Sequence, residues 1–145
     1  MEIKKKRIGV YGVIIQNGKI ALVRKAGGGY KGKLDLPGGG MEHKEMPVET
    51  LKRELMEEAE VIVNDYNLLD VTATNIRWLM PDNVYEDLHH VGVIYTVSII
   101  GNKLKTDADG HDSEGCEWYE ISELKKNELS PFTIYALEKL EYNIK

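Results

Sequence analysis

Arg7 to Ile15 alternates apolar with small or polar positions and is rich in Val and Ile, which predicts a strand. Asn17-Gly18 follows, a pair that tolerates positive φ in a two-residue hairpin turn, and Lys19 to Lys25 reads as the returning strand. Gly27 to Gly40 is a glycine-rich loop interrupted by one short apolar piece, Leu34-Asp35-Leu36, before Pro37. The pattern then changes period. Val48, Leu51, Leu55 and Ala59 recur as one helical stripe, predicting a helix from Pro47 to Glu60 with proline where its missing N–H does least harm. Strands are expected at Val61 to Leu69, Val71 to Leu79 and His89 to Ile100, followed by a turn at Gly101-Asn102 and a polar loop from Thr106 to Gly115. Trp118 to Ile121 reads as a short strand and Ser122 to Lys126 as a short helix. Ser130-Pro131 is an N-cap followed by proline at the first helical position, opening a last helix to about Tyr142. The chain carries no repeat, linker or low-complexity segment, so one α+β domain over residues 1–145 is expected.

Composition narrows the classes. A chain of 145 residues, 42% hydrophobic and 30% charged, is long enough to close its own core and too apolar to be disordered. No apolar run approaches the roughly 20 residues that span a bilayer. The basic start, Met1 to Arg7, leads into a strand and not into a signal-peptide core, so the cytoplasm is the expected compartment and no membrane partner is expected. The single cysteine, Cys116, has no internal disulfide partner and reads as packing. A net charge of −5 argues against a nucleic-acid polymer as partner. It leaves a phosphorylated small molecule open, because a bound metal inverts the charge of a local site.

The predicted helix lines up Glu54, Glu57 and Glu58 at i, i+3 and i+4, so three carboxylates share one face. Like charges at that spacing oppose one another by about 0.2–0.5 kcal/mol per pair. Three glutamates alone read most simply as a solvated acidic face. Pro37-Gly38-Gly39-Gly40 in front of the helix shifts the balance, because backbone without Cβ can approach an ion or a phosphate. Hard oxygen ligands in this number suit Mg²⁺, with Mn²⁺ as a substitute, and not zinc.

These residues carry a resemblance. Gly39 is followed after five residues by Glu45 and after seven more by Arg53-Glu54, then Leu55, Met56, Glu57, Glu58, Ala59, Glu60 and Val61. The spacing is similar to the box of the Nudix hydrolase (MutT-like) family, with every charged position and the first glycine in place and Glu60 where the family has glycine. Leu36-Pro37-Gly38-Gly39, Glu117-Trp118 and Leu129-Ser130-Pro131 extend the likeness beyond the box.

The resemblance implies a Nudix fold: an α/β/α sandwich, a mixed β-sheet between helices. It implies hydrolysis of a nucleoside diphosphate linked to another moiety, with Glu54, Glu57, Glu58 and the Gly39 carbonyl holding one to three divalent ions. Arg53 and Glu45 would pair and orient those carboxylates, and Glu54 would help deprotonate the attacking water. Gly38 and Gly39 would approach the substrate through their backbone. Some members add a carboxylate from a loop before the tryptophan-bearing strand, for which Asp112 and Glu114 are the candidates beside a simpler role as solvated loop residues. Arg24 is placed either to contact substrate phosphate or to sit at the surface. Many relatives form homodimers, and a few bind a nucleotide without cleaving it, though such modules usually lose carboxylates that this chain keeps.

Three patterns are decoys. Gly27 to Lys33 spells most of a P-loop, but Leu34 stands where Ser or Thr should bind magnesium and Pro37 interrupts the required helix. Asp107, Asp109 and Asp112 spell part of a calcium loop without its glycine or its flanking helices. His89 and His90 are neighbours on a strand, point to opposite faces and cannot share an ion, though one can face the cleft. The substrate is less legible. ADP-ribose hydrolases of the family often carry a proline about sixteen residues past the box, where this chain has Arg77 with Pro81 later. The tyrosine of dinucleoside-polyphosphate hydrolases and the upstream motif of coenzyme A hydrolases are also not evident. Nucleoside triphosphates, oxidised ones included, are therefore expected first, then ADP-ribose or nucleotide sugars. Tyr30, Trp78 and Tyr85 are the aromatics that could stack a base or belong to the core.

Overall fold

The computed structural model describes residues 1–107 and 113–145, with the side chains of Ser113 and Glu114 outside the described part. Among the described residues, seven strands form one mixed sheet: β1 (Glu2–Gln16), β2 (Lys19–Lys25), β3 (Leu34–Asp35), β4 (Gly38–Gly40), β5 (Val63–Leu79), β6 (Tyr85–Ile99) and β7 (Ser113–Glu120). Two helices complete it, α1 (Pro47–Ala59) and α2 (Pro131–Lys139), with short 3₁₀ turns at Ile121–Glu123 and Lys126–Glu128. The path through the sheet is β3-β2-β1-β6-β5, with β4 beside β1 and β7 beside β2. β1 runs parallel to β6 and antiparallel to β2 and β4.

Period-two alternation on the central strands sends side chains to both faces. Val10 and Ile14 of β1, with Ala21 and Val23 of β2, pack against Leu51, Leu55 and Ala59 of α1. Tyr11, Val13, Ile20, Leu22 and Ile94 form a second core with Phe132, Ala136 and Leu137 of α2. One helix on each core makes the expected α/β/α sandwich. No helix among the described residues is long and apolar enough to cross a membrane.

Local chemistry fixes the element ends. Asn17 and Gly18 both have positive φ, at 51° and 76°, as a two-residue hairpin turn requires. Pro47 opens α1, where the Glu49 carboxylate accepts the Met46 N–H at 2.8 Å. Ser130 caps α2, its Oγ accepting the Thr133 N–H, and the same Oγ donates to Asp35 Oδ1 at 2.6 Å.

Several boundaries differ from the sequence expectation. β1 begins at Glu2, not Arg7, because each polar residue from Glu2 to Lys6 gains a rung on β6. The strands expected at Val61 to Leu69 and Val71 to Leu79 are one ribbon, with a register shift between Leu68 and Asp70 absorbing the break. β6 starts at Tyr85, four residues early, as the return of that ribbon. β7 begins at Ser113 inside the expected polar loop, and the short helix expected at Ser122 to Lys126 is two 3₁₀ turns. α2 ends at Lys139, short of Tyr142.

Candidate functional site

Box residues converge because β4 lies beside α1. At Gly38 the backbone takes φ 145°, and an added Cβ would sit 2.1 Å from the Val10 carbonyl oxygen, so only glycine lets β4 lie this close to β1. At Gly39 a Cβ would sit 2.6 Å from the Glu54 carboxylate, so that carboxylate rests directly on glycine backbone. The Gly38 N–H donates to Glu58 Oε1 at 2.8 Å.

Arg53 organises the acidic face. Its Nε and Nη2 donate to the two carboxylate oxygens of Glu45 at 2.7 and 2.9 Å, a forked pair that fixes the guanidinium plane. Nη1 then donates to Glu54 Oε1 at 2.8 Å and Glu57 Oε2 at 3.3 Å, and Nη2 also reaches the Gly40 carbonyl at 3.1 Å. The Arg53 bonds hold the Glu45 carboxyl down to about 2, with Thr50 Oγ1 donating to it as well, and the carboxylates in turn push the Arg53 guanidinium up.

Three glutamates on one helix have three environments. Glu57 is exposed, Glu54 is half-buried, and Glu58 is 6% exposed. Burial pushes the Glu58 carboxyl up to about 8, opposed by the Gly38 N–H and Lys25 and reinforced by Glu54 and Asp35. Near neutral pH such a group holds a proton unless a cation replaces it. Among the described residues, no three acidic or imidazole groups already close around one point. The donors at this end, carboxylates beside glycine backbone, are hard oxygens, a set that fits a divalent cation.

These carboxylates form one end of a cavity of about 430 Å³. Gly38, Gly39, Glu54, Glu57 and Glu58 line that end, and Trp78, Glu86 and Leu88 line the other. Glu86, Leu88 and His90 alternate along β6, so one face of the strand supplies the floor. Gly39 is level with Val10 of β1 and Glu86 with Ile3, so the backbone positions behind the two ends lie roughly 20 Å apart along the strand at ~3.3 Å per residue. Arg7, Lys25 and Lys105 bring positive charge to the walls. The loop dismissed as a P-loop supplies Gly27, Gly28, Gly29 and Tyr30 to the lining, with Gly29 tucked against Trp78.

Other sequence candidates fall elsewhere. Arg24 is not part of the lining; its Nη1 donates to the Gly32 carbonyl at 3.0 Å, within the glycine loop. Tyr85 lies under the Arg77 guanidinium, 3.8 Å from its ring centre, while Tyr30 and Trp78 face the cavity. Asp112 and the Glu114 side chain lie outside the described residues. Cys116 is buried and its thiol is pushed up to about 12, consistent with packing. Of the histidine pair, His90 is buried on the cavity floor and His89 is exposed. Arg7, Tyr11 and Lys25 carried no sequence signal beyond their place in a strand, and Asp35, Glu86 and Lys105 carried none.

Glu60 adopts the left-handed conformation with φ 54° and ψ 40°, and the Val61 N–H reaches back to the Leu55 carbonyl. The backbone therefore keeps the turn for which glycine is the easier residue. The side chain is exposed and adds nothing to the cavity lining.

An ADP-ribose pyrophosphatase of Methanocaldococcus jannaschii is 29% identical over 119 residues, covering 82% of this chain and 64% of the relative, so the chain spans less than two thirds of that protein. A MutT NUDIX hydrolase structure from Burkholderia pseudomallei aligns with TM-score 0.76 and 22% identity, covering 94% of this chain and 98% of that one. The NUDIX domain of Shewanella oneidensis NrtR, solved with ADP ribose, aligns with TM-score 0.72 and 17% identity over 94% of this chain and 87% of that chain. The model of the NUDIX domain matches residues 5–140, nearly the whole chain, and the chain belongs to the NUDIX domain family.

Proposed function

We propose that this chain hydrolyses the diphosphate linkage of a nucleoside diphosphate joined to a second moiety, with a sugar conjugate of the ADP-ribose kind as substrate and Mg²⁺ or Mn²⁺ as cofactor. The observation that carries the proposal is that Glu54 and Glu58 rest on the glycine backbone of Gly39 and Gly38, with Glu57 on the same helix face lining the same cavity. A bound divalent ion supplies charge neutralisation of the diphosphate and lowers the pKa of a coordinated water. Glu54, Glu57, Glu58 and the Gly39 carbonyl would hold it. Arg53 fixes two of those carboxylates, so their positions are set before substrate arrives. Glu54, wedged between Arg53 and Gly39, would take the proton of the attacking water. Water adds to phosphorus, the bond from that phosphorus to the bridging oxygen breaks, and the products are a nucleoside monophosphate and a phosphorylated second moiety.

The sequence alone favoured nucleoside triphosphates. Two observations now favour the sugar conjugate. The roughly 20 Å of strand between the backbone positions behind the two ends suits a diphosphate carrying a bulky group on each side. The Methanocaldococcus relative is named for ADP-ribose. A magnesium-dependent panel of ADP-ribose, nucleotide sugars, nucleoside triphosphates and dinucleoside polyphosphates, with products resolved by chromatography, tests the choice. AMP and ribose phosphate from ADP-ribose is the expected result. Preferential cleavage of a triphosphate would refute the substrate choice, and tight binding without cleavage would replace the enzyme with a nucleotide sensor.

A further inference from the structure

Between its two ends the cavity holds a bridge of three side chains. His90 is 2% exposed, and both of its ring nitrogens are engaged by tyrosine hydroxyls: Tyr11 at Nε2, 2.8 Å, and Tyr30 at Nδ1, 3.0 Å. All three residues line the cavity. Their placement is tightly set. The Tyr11 hydroxyl lies over Gly9, where any Cβ would approach it to 2.4 Å, and His90 packs edge-on against Phe132, which fills the space above Gly92. The Tyr30 ring is stacked on the imidazole, tying the glycine loop to β6.

Proton counting shows that the bridge cannot consume its own donors. A neutral imidazole has one N–H and one lone pair, so it accepts a proton from one tyrosine and donates to the other. The tyrosine that accepts from the ring retains an O–H of its own. A charged imidazole donates twice and leaves two. In every protonation state and either tautomer, at least one hydroxyl proton is left over by the imidazole, in a cavity that the Asp35 carboxylate also lines. Burial, followed by the charges of Arg7 and Lys25, holds the imidazole down to about 4, so the neutral count applies near pH 7. Arg7 and Lys25 line the cavity beside the Asp35 carboxylate, so a phosphoryl oxygen at the bridge would meet two cations and one anion.

We propose that the Tyr11–His90–Tyr30 bridge is a hydrogen-bond donor site for a phosphoryl oxygen, resting on the diphosphate function proposed above. Tautomer exchange at His90 lets either tyrosine supply the proton, so the site adapts to the acceptor without moving a side chain. His90 is thus a positioning residue, and the two hydroxyls make the contact.

The test is calorimetric titration of inorganic pyrophosphate, in magnesium buffer, into the native protein, Tyr11→Phe, Tyr30→Phe and the double variant, with ADP-ribose cleavage followed separately. A lost hydrogen bond to a charged group predicts binding about tenfold or more weaker in the double variant, and a smaller loss in each single because the remaining hydroxyl takes over. Equal affinity of the folded double variant and the native protein would overturn the proposal, as would failure of the native protein to bind pyrophosphate. Absence of ADP-ribose cleavage alongside the expected affinity series would refute ADP-ribose as the substrate and leave this site standing. Should the double variant not fold, ¹⁵N shifts of the His90 ring in the native protein decide. A change on adding pyrophosphate supports the site, and no change overturns it.

Discussion

Replacing Glu58 by glutamine probes the acidic site through stability alone. The Glu58 carboxyl is buried, and its pKa rises from an ordinary 4.5 to about 8. Between those values the folded protein keeps a proton that the unfolded chain has released, so stability falls as pH rises through the window. At 1.36 kcal/mol per unit, full ionisation at pH 9 costs roughly 5 kcal/mol without a divalent cation. Glutamine keeps the shape and can still accept the Gly38 N–H, but has no charge to bury. Urea denaturation in EDTA at pH 5 and pH 9 measures the difference. The depressed His90 pKa adds stability as pH rises through 4 to 6.5, an opposing effect present in both proteins that cancels in the comparison. The native protein should lose several kcal/mol more than Glu58→Gln between the two pH values, and Mg²⁺ should restore much of that loss only in the native protein. Parallel pH dependence in the two proteins would refute the buried, cation-seeking carboxylate.

Two further substitutions test local geometry. Glu60→Gly relieves a left-handed non-glycine residue and should stabilise by about 1 kcal/mol, a rise of roughly 2–4 °C in Tm, with activity within about tenfold of native; a lower Tm would contradict the helix end described. Gly39→Ala places a methyl against the end of the flexible Glu54 side chain, so the protein should remain folded while turnover drops at least about tenfold. Unchanged turnover would show that Glu54 need not rest on that backbone.

Legibility in the sequence followed how local each determinant is. The α1 stripe and the acidic face depend on one helix's periodicity, and Pro47 and Ser130 mark helix starts by side-chain chemistry, so these were readable. The N-terminal half of β1 was not, because Lys4, Lys5 and Lys6 are strand only by virtue of β6, about 80 residues away. The opposite wall of the cavity escaped for the same reason. Glu86, Leu88 and His90 become a floor only when the β5–β6 ribbon lies beside β1, and nothing in their own segment singles them out. Gly27 to Gly29 were dismissed as a false phosphate loop, and the structure brings them to the cavity by packing Gly29 on Trp78. Glu60 broke the box at the letter, yet the backbone keeps the left-handed turn.

The central claim is that Glu57, exposed at the acidic end of the cavity, is part of a metal site that cleaves a diphosphate. Its most direct test is the turnover of ADP-ribose by Glu57→Gln in saturating Mg²⁺, beside native protein of equal thermal stability. A fall of at least about a hundredfold is predicted, because the side chain keeps its shape and loses only its charge. Near-native turnover in a folded variant would contradict the account.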